Sequence, residues 1–560
     1  MKTIEVAKTT SSGIAIAKVY KVETVELVPS TYRISNVEDE IQKYKEAVQF
    51  VSAKIETLAK DNEIFAAHLE LVNDVGLMEG VINKITMNED NAELALDKTA
   101  QEFIMIFESM DNEYMRERVA DINDIRNRLM THLKGLKERD FGDLNEEAIL
   151  VTKDLAPSDT AKLDLKYIKG FITELGGVTS HVSIMAKNMG LPALVGVQGI
   201  MEIIDDEDQI IMDAQKGIII INPDEETRKH YQELEHKEQQ EKELLEKIAN
   251  LPAETKDGRK VKVCANVGCI EDVKNAVTKY IDGIGLFRSE FLYMENTQFP
   301  TEEEQFEAYK EAARLCEGEV IIRTLDIGGD KALPYYPFEQ EENPFLGWRA
   351  IRISLEKQDL FKTQLRALLR ASAFGEIWIM YPMIVSLEEL HSAKALLETC
   401  KKELLQEGKA YDEHVKVGMM IETPASVMCV EAFAEEVDFF SIGTNDLTQY
   451  LLAVDRGNQH ISSMYNSFHP AVMRAIAKVI KAGHKAGIPV GMCGEFASDI
   501  KAVPVLLGMG LDEYSVCAGE VAKIKAAIRQ WDYKACEELA EKVIRAKGLN
   551  EVMALIEDVK

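Results

Sequence analysis

The spacing of apolar residues changes character several times along the chain. Over residues 1–22 apolar and polar side chains alternate around SSGIAIAKVYKV, the period-two pattern of one or two strands. From Asn36 to Gly142 the spacing turns helical. Ile41, Tyr44, Val48, Val51 and Ile55 form one stripe, Phe103, Ile106 and Phe107 another, and Ile122, Ile125 and Leu129 a third. Breaks at Asp61, Val75-Gly76 and Asn88-Glu89-Asp90 separate the helices. Strands and short helices return over residues 144–222, in AILVTKDLAPSDTAKL, GFITEL and QIIMDAQKGIIIINP. Residues 224–250 are nearly all polar, which predicts a solvent-exposed connecting helix. From Lys260 onward eight apolar runs alternate with mostly helical stretches: VKVCANV, GIGLF, EVIIRTL, IWIMYPM, VKVGMMI, VDFFSIG, IPVGMC and EYSVCA. Eight β–α repeats over about 300 residues predict a (β/α)₈ barrel. The expected layout is multidomain α/β: an α/β domain from residues 1–22 and 144–222, an inserted helical bundle at 23–143, a linker helix at 223–254 and a barrel at 255–560.

Length and charge narrow the function. A chain of 560 residues exceeds one core, and three or four domains are expected. The net charge of −31 argues against nucleic acid and anionic membrane as partners and is compatible with a basic protein partner. The 8 cysteines all lie between Cys264 and Cys536 with no CxxC pair, so spacing indicates neither a zinc site nor a disulfide framework. Free thiols suit a reducing cytosol. MKTIEVAKTT has no apolar signal core and no run is long enough to span a membrane, so a cytoplasmic protein without direct membrane insertion is expected.

Two places carry candidate chemistry. In GGVTSHVSIMAKNMGLPALVGV (Gly176–Val197), Thr179 or Ser180 caps a predicted helix that runs to about Met189, where Gly190 and Pro192 stop it. His181 then sits in the first turn, where free amides and the helix dipole favour an anion and disfavour imidazolium. A neutral imidazole beside a phosphate cradle is a phosphocarrier. The second place is the set of predicted strand ends in the barrel: Arg288, Arg323, Glu422, Asn445, Asp446 and Cys493, with Arg456 further along. All converge on the C-terminal rim, where barrel enzymes keep their active sites. Guanidiniums clamp phosphate and carboxylate oxygens. Glu422 and Asp446 suit Mg²⁺, which takes few protein ligands, and Asn445 can orient phosphoryl oxygens.

The segment GGVTSH–SIMAKNMGLPALVG resembles the phosphohistidine domain shared by enzyme I of the bacterial phosphoenolpyruvate:sugar phosphotransferase system, pyruvate phosphate dikinase and phosphoenolpyruvate synthase. FRSEFLYM, PTEEEQFEAY, RTLDIGGDKALPYY, ENPFLGWRAIRI, RALLRASAFG, IETPAS, DFFSIGTNDLTQYLLAVDRGN, GMCGE and LLGMGLDEYS are similar to enzyme I, and the resemblance covers essentially the whole chain. EYMRERVADINDIRNRLM (Glu113–Met130) resembles that family's last long bundle helix. The chain departs from the family at Val178, where a basic residue is usual, and at Ser12 and Ala17, where Pro and Gly are usual.

The resemblance implies a swivelling phosphohistidine α/β domain, a bundle that docks the phosphocarrier protein HPr, a linker helix, and a phosphoenolpyruvate-binding TIM barrel that forms a homodimer. By resemblance His181 is the phosphorylated nucleophile and Cys493 the proton donor to enolpyruvate. Arg288, Arg323, Asn445, Asp446 and Arg456 bind phosphoenolpyruvate, and Glu422 and Asp446 hold Mg²⁺. Thr160 takes the place of a hydroxyl that hydrogen-bonds the histidine, its other reading being an exposed helix cap. Glu63, Phe65, His68, Glu70, Asp74, Met78 and Glu79 read as a solvated helix face or as part of the HPr surface. A synthase or dikinase would need a nucleotide-binding domain, and no Gly-rich ATP loop is present. A non-catalytic phosphoenolpyruvate-binding regulator would carry a damaged active set, whereas every catalytic position is intact.

Overall fold

The computed structural model describes the chain except residues 1, 7–8, 12, 23–26, 59–62, 109–112, 137–145, 154–165, 176–185, 187–190, 207, 295, 329–332, 334, 337, 340, 459 and 559–560. Two compact units divide it, residues 1–241 and 242–560.

The first unit holds an eight-stranded mixed sheet. Its strands are β1 (Lys2–Glu5), β2 (Thr9–Ser11), β3 (Ile14–Val22), β4 (Ala148–Thr152), β5 (Ile168–Thr173), β6 (Ala193–Leu194), β7 (Gln209–Asp213) and β8 (Ile218–Ile221), in the order β1-β8-β7-β3-β4-β5-β6-β2. The N-terminal segment thus makes three strands rather than one or two. β1 pairs with β8 and β2 with β6, at opposite edges, while β3 runs through the middle. Period alone could not show this division, because edge assignment depends on partners far along the chain. β3 alternates, with Ala15, Ala17 and Val19 inward, whereas β4 is buried at every position, as a parallel strand covered on both faces must be.

Between β3 and β4 the chain forms α1 (Val37–Leu58), α2 (Glu63–Val72), α3 (Val75–Asn88), α4 (Ala92–Glu108) and α5 (Glu113–Leu133). The α1 stripe Tyr44, Val48, Val51 and Ile55 is buried with Val81, Ile85, Leu96, Ile125 and Leu129 in one core. The break expected at Val75-Gly76 falls two residues earlier. Asp74 caps α3 by accepting from the Leu77 amide (2.8 Å), and Val75 and Gly76 form the first turn. In α4, Phe103 packs on the core but Ile106 is exposed. His68 does not belong to a solvated face. It is fully buried, with Nε2 3.1 Å from Asp121 and Nδ1 3.3 Å from Asp124 on α5.

The polar segment forms one helix, α6 (Glu225–Ala249), and the boundary between the two units falls within it. It is not solvated all round. Tyr231 and Leu234 pack on Ile211 and Ile220 of the sheet, and Glu238 accepts from the Ile14 amide (3.2 Å). Two apolar residues one turn apart are enough to anchor a helix whose other positions stay polar.

In the second unit all eight apolar runs become strands of a closed parallel barrel. They are β9 (Lys262–Val267), β10 (Ile284–Arg288), β11 (Val320–Arg323), β12 (Ile377–Tyr381), β13 (Lys416–Ile421), β14 (Phe440–Ile442), β15 (Val490–Met492) and β16 (Glu513–Cys517). Val263, Ala265 and Val267 of β9 join the core between strands and outer helices. Leu286, Ile321, Met380 and Met420 instead fill the barrel interior, as the layered packing of this architecture requires. This apolar layer divides the interior into two polar ends.

Candidate active site at the C-terminal rim of the barrel

Polar residues at strand ends converge because every barrel strand runs the same way. Arg288 ends β10, Arg323 ends β11, and Glu422 follows β13. Asn445 and Asp446 open the helix Thr444–Leu452 after β14, and Cys493 follows β15.

Arg323 is buried and gripped from two sides, by Glu290 (Nη2–Oε1 2.5 Å) and Asp326 (Nη1–Oδ2 2.9 Å). Asp326 also holds Arg349 (3.0 Å), and Arg349 reaches Asp446 (3.3 Å) and the Tyr450 hydroxyl (3.3 Å). One carboxylate therefore fixes two guanidiniums side by side. Arg349 escaped the reading of strand ends because it lies in the long connection between β11 and β12. Ala350 beside it has φ 54° and ψ −126°, a conformation costly for a residue with a Cβ, and its amide is tied to the Ile327 carbonyl (3.0 Å). The strain sets Arg349 into the rim. Glu290 and Asp326 were missed too. Asp326 stands three residues past Arg323 in RTLDIGGD, a position from which it pairs with the strand-end arginine.

Glu422 is 2% exposed, and its Oε1 accepts from the amide of Met383 (2.6 Å), a residue in the left-handed region at φ 56°. Gly443 makes room for it: a Cβ there would stand 3.0 Å from Glu422 Oε2. Asp446 Oδ1 is buried without a hydrogen-bond partner. Burial, then the charges of Asp446 and Asp326, push the Glu422 carboxyl above the usual range, against the pull of Arg323 and Arg349. Three carboxylates (Glu290, Asp326, Asp446) against two guanidiniums (Arg323, Arg349) leave one negative charge uncompensated while Glu422 keeps its proton, and two once it ionises. A divalent cation between Glu422 and Asp446 fits that deficit and the orphaned Asp446 oxygen.

A raised carboxyl pKa stabilises the fold only while the group keeps its proton. That contribution is complete below the unfolded value of 4.5 and is lost as pH rises through the folded one. We therefore expect the urea midpoint of the metal-free chain to fall as pH rises through neutrality, and Glu422→Gln to flatten the fall. Fluorescence reads the barrel unit directly, because Trp348, Trp378 and Trp531 all lie in it. An unchanged slope in Glu422→Gln would refute the assignment.

Cys493 lies buried with its Sγ 3.9 Å from the Ile442 carbonyl, and burial pushes the thiol up to about 11. It keeps its proton at neutral pH. Asn266 donates to the Cys493 and Ser515 carbonyls (3.0 and 3.1 Å) and accepts from the Ser515 hydroxyl (2.6 Å), fixing the strand end that carries the thiol. Asn445 Oδ1 accepts from the Glu495 amide (3.1 Å), and its carbonyl accepts from the Tyr465 hydroxyl (3.1 Å). Arg288 stacks on Phe291 (4.8 Å), with Nε buried and without a partner, and Arg456 is exposed. Among the described residues neither forms an ion pair with the buried carboxylates. His181 and Thr160 lie outside the described residues, as does nearly all of the predicted helix to Met189. The parallel neighbours β4 and β5 end at Thr152 and Thr173, shortly before the segments that contain them.

Comparison with known proteins agrees with this layout. Residues 242–533 match the family described as PEP-utilising enzyme, PEP-binding domain. Residues 7–118 match its N-terminal domain and 144–217 its mobile domain. The phosphoenolpyruvate-protein phosphotransferase of Priestia megaterium is 45% identical over 556 residues, covering 98% of this chain and 97% of that protein. That of Bacillus subtilis is 44% identical over 558 residues, 98% of each, and that of Haemophilus influenzae 44% over 560 residues, 98% and 97%. Identity at this level along two chains of nearly equal length, together with a parallel barrel whose polar residues gather at one rim, places the chain in the family of phosphoenolpyruvate-protein phosphotransferases, enzymes of the PEP-utilising group.

Proposed function

We propose that this chain moves the phosphoryl group of phosphoenolpyruvate to Nε2 of His181 and then to the phosphocarrier protein HPr, the first step of sugar uptake by the phosphotransferase system. The observation that carries the reading is the rim constellation, in which Asp326 holds Arg323 and Arg349 together and Arg349 reaches on to Asp446, beside the buried Glu422. Arg288, Arg323 and Arg456, with Arg349, grip the phosphate and carboxylate oxygens of the substrate, while Asp446 and the Asn445 amide orient the phosphoryl group. Glu422 and Asp446 would hold Mg²⁺, which would supply charge compensation to the phosphoryl oxygens. The phosphorus leaves the enol oxygen and bonds to the imidazole nitrogen. The Cys493 thiol then gives its proton to the methylene carbon, so that enolpyruvate leaves as pyruvate. Thr160 orients the imidazole.

In this reading residues 1–22 and 144–222 form the phosphohistidine domain, 23–143 dock HPr, 223–254 link, and 255–560 bind phosphoenolpyruvate and dimerise. No helix of the described residues is long and apolar enough to cross a membrane, and a cytoplasmic site of action is proposed. The surplus of acid, −31 overall, suits a basic partner such as HPr.

Phosphoenolpyruvate labelled in its phosphoryl group tests the scheme. With Mg²⁺ and no nucleotide, label should pass to the chain and on to purified HPr. A need for ATP would point to a dikinase, and an unlabelled chain to a regulator. Cys493→Ser separates proton donation from phosphoryl transfer: pyruvate formation should slow about 10²- to 10⁴-fold with the fold unchanged. Full pyruvate release by that variant would remove the thiol from the mechanism.

A further inference from the structure

The end of the barrel opposite the active site is also polar, and the proposed reaction uses none of it. At the N-terminal mouth a cavity of about 490 Å³ is lined by Lys262, Glu319, Trp378, Phe439, Gly491 and Glu513, among others. Leu286, Ile321, Met380 and Met420 lie between this cavity and the rim.

We propose that this mouth is a second metal site, in which Cys264, Glu319 and Glu513 bind a divalent ion of the zinc class. Cys264 comes from β9, Glu319 from the residue before β11, and Glu513 from the start of β16. All three are buried, and one ligand atom from each lies within 4.8 Å of the others. Ligands around tetrahedral zinc stand roughly 3.5 Å apart, given bond lengths of about 2.0 Å to oxygen and 2.3 Å to sulfur. Small side-chain rotations close the difference.

Three buried ligand atoms do not alone make a site. The independent observation is Glu513. It is 8% exposed, it lines the cavity, and it makes no hydrogen bond or ion pair among the described residues. With no protein partner, its carboxyl group is left to face whatever the cavity holds. The strands also yield space to it. A Cβ on Gly285 of β10 would stand 2.3 Å from Glu513 Oε1, and one on Gly491 of β15 would stand 3.2 Å from it. The carboxylate is lodged over two glycines, in a pocket shaped for it.

The donor set selects the ion. Mg²⁺ and Ca²⁺ demand more oxygens and take no thiolate, whereas sulfur with two carboxylates suits Zn²⁺ and its neighbours. Binding deprotonates Cys264 and also the Glu513 carboxyl, which burial and the charge of Glu319 hold above the usual range, and both protons leave to solvent. The cavity admits a water as fourth ligand. Lys262 is the resident counter-ion of Glu319, and its half-exposed side chain can turn outward when a cation arrives. The ligands come from three separate strand ends, so no CxxC-type spacing announces them. The ion would pin β9, β11 and β16 together at the base of the barrel, a structural role apart from the chemistry at the rim.

Co²⁺ is the probe, added to the chelator-treated full chain with excess Mg²⁺ to keep the rim occupied. The expected result is one thiolate-to-cobalt charge-transfer band per chain. It should be displaced by Zn²⁺, be absent in Cys264→Ser, and require at least tenfold more Co²⁺ in Glu513→Gln and Glu319→Gln. All three variants should still take label from phosphoenolpyruvate, which shows that they fold. No band in the parent chain, a band that survives Cys264→Ser, or unchanged affinity in both Gln variants would overturn the site.

Discussion

His181→Ala is expected to abolish transfer of label to the chain and to HPr while phosphoenolpyruvate binding stays measurable. The asymmetry follows from where the two tasks reside. Binding is assigned to arginines and carboxylates of residues 288–456, all in the second compact unit, whereas the proposed acceptor, His181, falls within the range of the first. A missing acceptor leaves the rim unchanged, so the substrate's affinity should stay within a few-fold of the parent's. Nothing replaces the imidazole, because phosphoryl transfer to a histidine needs a neutral nitrogen held in line with the leaving oxygen. The loss of kcat should reach the assay floor. Calorimetric titration with phosphoenolpyruvate and Mg²⁺, beside the labelling assay, reads both quantities. A labelled His181→Ala chain would move the nucleophile to another residue, and loss of both binding and labelling would mean misfolding.

The barrel was legible because all eight strands are short apolar runs between helices, and a closed sheet turns that repeat into convergence at one rim. Arg323, Glu422, Asp446 and Cys493 could be named from strand ends for that reason. Arg349 could not. It reaches the rim through a strained turn in a connection, and its role is visible only once Asp326 is seen to hold it and Arg323 together. The bundle's stripes were legible from helical spacing, but His68 was not. A histidine among acids on a helix looks solvated until the acids of a distant helix, Asp121 and Asp124, close over it. The polar linker misled in the opposite sense, since Tyr231 and Leu234 suffice to seat it on the sheet. In each case the missing information is a long-range partner, which local periodicity does not carry.

Arg323→Ala should do more damage than any other single change at the rim, because this side chain holds buried carboxylates and is also assigned to the substrate. It is the counter-ion of Glu290 and shares Asp326 with Arg349. Truncating it leaves buried carboxylates short of a cation, which costs about 3–5 kcal/mol where one partner of a buried pair is removed. Loss of the same guanidinium from the substrate should weaken phosphoenolpyruvate binding by about 2–5 kcal/mol, roughly 30- to 4,000-fold. Arg323→Lys should restore part of the stability and little of the binding, since an ammonium carries the charge but not the planar fork. Arg288→Ala supplies the contrast. Arg288 stacks on Phe291 and holds no buried carboxylate among the described residues, so its loss should weaken binding with little change in stability. The urea midpoint from tryptophan fluorescence and the dissociation constant from calorimetry separate the two arginines. Unchanged affinity in Arg323→Ala would dismantle the clamp, and equal stability losses in both variants would show that the Glu290–Arg323–Asp326 network does not bear on the fold as its burial requires.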